Sequence, residues 1–136
     1  MGFDQYHEPP DELPEQTRTF ARLCASLTEE AEAIGWDEQR LAVEQDPEAK
    51  AVMSDAVGEE YKHFSMDLEF LLRRTPKWRQ IARGVLFREG DIVEHGEAAE
   101  AAAGDDGDEQ SGGGSPTAPA MTGGSLGIGS LRGEGL

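Results

Sequence analysis

Two long stretches of the chain carry apolar side chains about every 3.5 residues, the spacing of an α-helix with one buried face. The stripe of the first stretch, Pro14 to Glu44, falls at positions 20, 23, 27, 30, 34, 37 and 41. That of the second, Pro47 to Arg74, falls at positions 53, 56, 60, 63, 67 and 70. Between them, Asp46 suits a helix N-cap and Pro47 suits the first helical position. The sequence therefore predicts a two-helix hairpin with a tight turn.

The rest of the chain consists of an N-terminal arm, a short third helix and a polar C-terminal region. Residues 1–13 contain Pro9 and Pro10 and are expected to form an irregular arm, whereas Thr75-Pro76 predicts a short third helix that ends near Phe87. Beyond residue 94, the chain is rich in Ala, Gly, Asp, Glu and Ser, a composition that buries too little apolar surface to offset the entropy of ordering. We expect a helical domain over 1–94, a disordered acidic linker over 95–124 and a short tail over 125–136.

The expected fold class is all-α, an antiparallel two-helix hairpin plus a short third helix. A hairpin this thin leaves one apolar face uncovered and makes a poor core by itself. Pairing with a second copy into a four-helix bundle would cover that face. We therefore expect the chain to form at least a dimer.

The charge of the chain limits its partners. There are 28 Asp and Glu against 12 Lys and Arg, a net charge of −16. Such a chain repels nucleic acid and anionic lipid, so neither is expected as a partner. The scarcity of lysine favours a salt-rich cytoplasm, with an ordinary acidic protein as the alternative. Because no apolar run is long enough to cross a membrane, we expect a cytoplasmic protein.

Carboxylates occupy stripe positions where apolar residues are expected. Glu30 and Asp37 lie on the first stripe, and Glu60, His63 and Asp67 lie on the second. A buried carboxylate without a partner is costly, so such residues usually face a counter-charge or a metal ion. Because Glu60 and His63 have i, i+3 spacing, both side chains project from the same face of the helix.

This spacing is typical of di-iron carboxylate bundles. Such sites take a Glu from each of two helices and a Glu-x-x-His pair from each of two others. One copy of the chain supplies half of the set, namely Glu30, Glu60 and His63, and two copies supply all of it. Carboxylates with imidazole suit iron. The alternative is a chance Glu/His pair on a helix surface.

A second acidic pair lies on a neighbouring face of the first helix. Glu29 and Glu32 have i, i+3 spacing and predict a secondary site for calcium or another divalent cation. A solvated acidic face is the equal alternative.

Three segments resemble the encapsulated ferritins. They are residues 29–40, residues 59–63 and the tail Ser125–Arg132, which is similar to the cargo-loading peptide of encapsulin nanocompartments. The resemblance implies a ferritin-like ferroxidase, with Glu30, Glu60 and His63 as shared di-iron ligands. It further implies that Glu29 and Glu32 match a site where metal enters, that the dimers form a decameric ring, and that the encapsulin shell stores the oxidised iron.

One position departs from the family pattern. The family usually has a Tyr after the residue that corresponds to Trp36, and this chain has Asp37. The predicted function is thus oxidation of Fe(II) to Fe(III) with dioxygen inside an encapsulin shell in the cytoplasm. A non-enzymatic, metal-linked helical cargo or scaffold protein is the alternative. An oxygen carrier of the hemerythrin kind would need more His than the three in this chain.

Overall fold

The computed structural model describes residues 5–105, and every regular element in that range is a helix. The helices are α1 (Glu15–Val43), α2 (Pro47–Arg74), α3 (Pro76–Val85) and α4 (Ile92–Asp105). The expected all-α fold class is confirmed, and the first three helices begin and end close to their predicted limits. Most of the predicted linker and the whole Ser125–Arg132 tail lie outside the described residues.

The turn between α1 and α2 is fixed by two carboxylates. Asp46 Oδ1 accepts hydrogen bonds from the backbone N–H groups of Glu48 (2.9 Å) and Ala49 (2.8 Å), which caps α2. Glu44 Oε1 accepts from the backbone N–H groups of Gln45 and Asp46, each at 2.8 Å. These contacts satisfy groups that a helix terminus leaves without intrahelical partners, so the chain reverses within three residues.

The α1–α2 hairpin has a small core. No residue of α1 is buried, although every position of its predicted stripe is half-buried. The buried residues of α2 are Val57, Leu71 and Leu72. One copy of the chain therefore leaves much of the α1 stripe only partly covered, as expected for a hairpin that needs a second layer. Pairing into a four-helix bundle remains a prediction.

The face that α2 turns toward α1 is offset from the predicted stripe. Val57 and Leu71 are buried, whereas stripe positions 56 and 63 are exposed and 53, 60, 67 and 70 are half-buried. A shift of one residue turns a helix by about 100°. The predicted stripe of α2 therefore runs along the open edge of the hairpin rather than through its centre.

The fourth helix was not predicted, and it corrects the linker over residues 95–105. Its start is capped by Asp91 Oδ1, which accepts hydrogen bonds from the backbone N–H groups of Val93 (2.8 Å) and Glu94 (2.9 Å). The same Ala-rich composition that predicts a disordered linker also favours a helix, because Ala has the highest helix propensity. Ala103 is 5% exposed, so even this polar segment buries apolar surface.

The contact between α3 and α4 is close. A Cβ placed on Gly84 would overlap the Cβ of Ala99, so only a residue without a side chain fits at this crossing. The connection between these helices turns at Phe87 and Gly90, whose φ angles of 59° and 108° lie in the left-handed region. No helix within residues 5–105 is long and apolar enough to cross a membrane.

Candidate metal centre

Three of the predicted ligands meet at one point of the hairpin. Glu30 projects from α1, and Glu60 and His63 project from α2, one helical turn apart. One ligand atom from each of the three lies within 4.8 Å of the others. The structure therefore brings together, within a single chain, the residues that the sequence selected from separate helices.

The imidazole of His63 lies among carboxylates. Its Nδ1 is 3.9 Å from Glu30 Oε1 and 3.8 Å from Glu60 Oε2, while its Nε2 is 4.0 Å from Glu59 Oε2. These distances exceed those of a hydrogen bond. The ring nitrogen Nδ1 thus faces both carboxylates without a hydrogen bond to either of them.

The two carboxyl groups are coupled electrostatically. A hydrogen bond with Glu60 raises the pKa of Glu30, and burial and the negative charges of Glu60 and Asp67 act in the same direction, while His63 opposes them. A neighbouring negative charge disfavours the ionised form of a carboxyl group. A divalent cation would relieve the same repulsion. Two carboxylates and an imidazole form a donor set that fits iron.

The cluster lies on the open side of the hairpin. The side chains of Glu30 and Glu60 are 20% and 27% exposed, whereas that of His63 is 47% exposed. Three protein donors are too few to hold two iron ions, since the known di-iron bundles use six residues. The exposed flank of His63 leaves room for ligands from outside the chain.

The remaining predicted residues lie around this cluster. Glu29 and Glu32 are exposed on α1 and do not belong to the three-residue group. Trp36 is also exposed, and Asp37 forms an ion pair with Arg40 one turn further along α1. Asp37 is therefore engaged with a cation of its own helix.

Glu59 lies on neither predicted stripe, yet it is also a neighbour of His63. Lys62 donates a hydrogen bond to Glu59 and lowers the pKa of its carboxyl group. The signal for this contact is the i, i+4 spacing from Glu59 to His63, which brings side chains together on a helix as i, i+3 spacing does. Across the helices, the Tyr61 hydroxyl donates to Glu38 Oε1 at 2.6 Å and ties α2 to α1 beside the cluster.

The chain is similar to known proteins over most of its length. Residues 5–89 match the EncFtn-like family. The chain is 41% identical over 128 residues to an "Encapsulated ferritin-like protein" from Rhodospirillum rubrum, covering 94% of this chain and 88% of that protein. It is 37% identical over 125 residues to a "Ferritin-like protein" from Thermotoga maritima, covering 92% and 96% of the two chains.

A solved structure also resembles the chain. A crystal structure of a protein from Nitrosomonas europaea superposes with a TM-score of 0.64 at 36% identity. The match covers 66% of this chain and 99% of that one. The family match ends at residue 89, so α4 lies beyond it.

Proposed function

The chain belongs to the EncFtn-like family, and from this membership and the site we propose that it is a ferroxidase. It oxidises Fe(II) to Fe(III), with dioxygen as the electron acceptor, at a di-iron centre shared by two copies of the chain. The observation that carries the proposal is the convergence of Glu30, Glu60 and His63 within 4.8 Å. The encapsulated and ferritin-like names of its relatives support the same assignment.

The three ligands have distinct roles in binding the iron substrate. Glu30 and Glu60 supply negative oxygen donors, and a bound cation offsets the repulsion that helps to raise the pKa of Glu30. His63 supplies a neutral nitrogen through Nδ1, the ring atom that faces both carboxylates. Each ferrous ion supplies one electron to dioxygen. The residues hold the ions close enough to react with the same oxygen molecule.

A second copy of the chain completes the centre. Two copies supply four Glu and two His, the set that di-iron bundles use. The half-exposed flank of His63 and the partly covered α1 stripe lie where that copy would pack. By the family resemblance, such dimers assemble into a decameric ring, and Glu29 and Glu32 attract divalent cations toward the centre.

The protein acts inside an encapsulin shell in the cytoplasm, which stores the oxidised iron. The tail Ser125–Arg132 directs the chain there. In this tail Leu126, Ile128 and Leu131 alternate with Gly and Ser, and such a segment suits an apolar groove on the shell. Deletion of residues 125–136 is expected to abolish co-purification with the shell protein and to leave iron oxidation unchanged. Loading that survives the deletion would contradict this role.

The central experiment is an anaerobic titration with Fe(II), followed by oxygen. We expect two iron ions per pair of chains, a shift of native mass toward dimers or larger species, and oxygen consumption with an absorbance rise from Fe(III). A metal-linked scaffold would bind iron and assemble without consuming oxygen. A monomer that oxidises iron at the full rate would contradict the shared centre.

A further inference from the structure

Asp67 lies on the metal-binding face of α2 and has no role in the ligand set proposed above. It follows His63 by four residues and Glu60 by seven, which places all three side chains on one face of the helix. The residue is half-buried. Its Oδ2 atom is buried and accepts no hydrogen bond from any group within the described residues.

An unpaired carboxylate oxygen in such a position requires an explanation. Buried acceptors normally have a partner, because a buried polar atom without one loses the hydrogen bonds that water would provide. The ion pairs formed by residues 5–105 do not include Asp67. Its negative charge acts on the metal centre, where it helps to raise the pKa of Glu30.

The position of Asp67 indicates how it would act. It does not belong to the three-residue group whose ligand atoms lie within 4.8 Å of one another. A buried carboxylate that shares a helix face with the ligands but lies outside their set suits electrostatic attraction to a bound cation, and such outer groups orient ligands and tune the affinity of metal sites.

We propose that Asp67 is a positioning residue of the metal centre, whose buried carboxylate adds negative charge beside the cation held by Glu30, Glu60 and His63. This inference rests on the proposed function. With two copies of the chain, the carboxylates directed at the centre then number six rather than four. Asp67 therefore strengthens cation binding and destabilises the metal-free protein.

The test uses the full chain and anaerobic Fe(II), with calorimetric binding and thermal unfolding as readouts that do not depend on oxidation. Asp67→Asn keeps the shape of the side chain and removes its charge. We expect Fe(II) affinity to fall by about 10- to 100-fold. The melting temperature of the metal-free protein should rise, because a buried unpaired charge has been removed.

Two further variants give the comparison its controls. Asp55→Asn makes the same chemical change at an exposed position of α2 and should alter neither readout. Asp67→Glu retains the carboxylate and should recover most of the lost affinity.

The outcomes separate this inference from the proposed function. Wild-type Fe(II) affinity in Asp67→Asn, together with weakened binding in His63→Ala, would overturn the role of Asp67 alone. Wild-type affinity in both variants would overturn the metal centre itself. A lower melting temperature of metal-free Asp67→Asn would show that the carboxylate supports the fold and would also overturn the inference.

Discussion

The middle and the C-terminal end of α2 differ in what they bury. At the end, Leu71 is fully buried and Leu72 nearly so. In the middle, Glu60 and His63 replace apolar residues, and the imidazole is about half exposed. The apolar end stabilises the hairpin, whereas the polar middle keeps donors accessible at a cost in stability. The end of α2 thus serves packing alone, whereas its middle carries the ligands on one face and the buried Val57 on another.

Leu71→Ala provides the strongest test of this division. Loss of a fully buried Leu side chain should lower the free energy of unfolding by about 2–5 kcal/mol, because burial is lost and a cavity remains. Urea unfolding of the metal-free protein measures this change. Val52→Ala removes an exposed apolar side chain of the same helix and should have little effect. Equal losses in the two variants would contradict a core located at the end of α2.

His63→Ala tests the polar middle of the helix. Removal of a direct ligand should lower Fe(II) affinity and the oxidation rate by roughly 100-fold or more, at least as much as loss of an outer-shell partner. The free energy of unfolding of the metal-free protein should change by no more than about 0.5 kcal/mol, since the side chain is about half exposed and is not part of the buried core. His7→Ala, in the exposed N-terminal arm, is the control. A large loss of stability in His63→Ala would mean that the middle of α2 also supports the fold.

Gly84→Ala tests whether the α3–α4 contact contributes to stability without contributing to metal binding. The added methyl group overlaps Ala99 and should destabilise this contact by about 1–3 kcal/mol, while Fe(II) binding stays unchanged. Gly96→Ala, on α4, meets no atom within 4 Å and should stabilise that helix by about 0.5–1 kcal/mol. Hydrogen exchange of the α4 amides measures both effects. If both variants raised, or both lowered, the protection of the α4 amides from exchange, the two helices would not cross closely at Gly84.

The dependence of stability on pH should give the smallest effect. The pKa of Glu30 is raised in the folded chain, chiefly by the hydrogen bond with Glu60, so the protonated form favours the fold. Its stabilising contribution is present at low pH and is lost as the pH rises through the folded-state pKa. Glu30→Gln should flatten this part of the stability profile of the metal-free protein. Denaturant unfolding of the two proteins at several pH values measures the difference, and identical profiles would contradict it.

Part of α4 could have been predicted. Asp91 and Glu94 have the spacing of a helix N-cap and its third position, and Ala is frequent in the next two turns. These local signals are weak beside the overall composition, because few residues there are large and apolar. The contact that holds the helix, Ala99 against Gly84, joins residues distant in the sequence, and no local pattern announces it.

The sequence by itself determined the limits of the first three helices and the relation of Glu60 to His63. Both are local properties: Asp and Pro fix where a helix starts, and the helical period fixes which side chains share a face. Only the tertiary structure decided which face of α2 meets α1, that Glu30 lies beside Glu60, and that His63 remains half open. These depend on how two helices rotate against each other to bury Val57 and Leu71, a balance of long-range packing that periodicity within one helix does not determine.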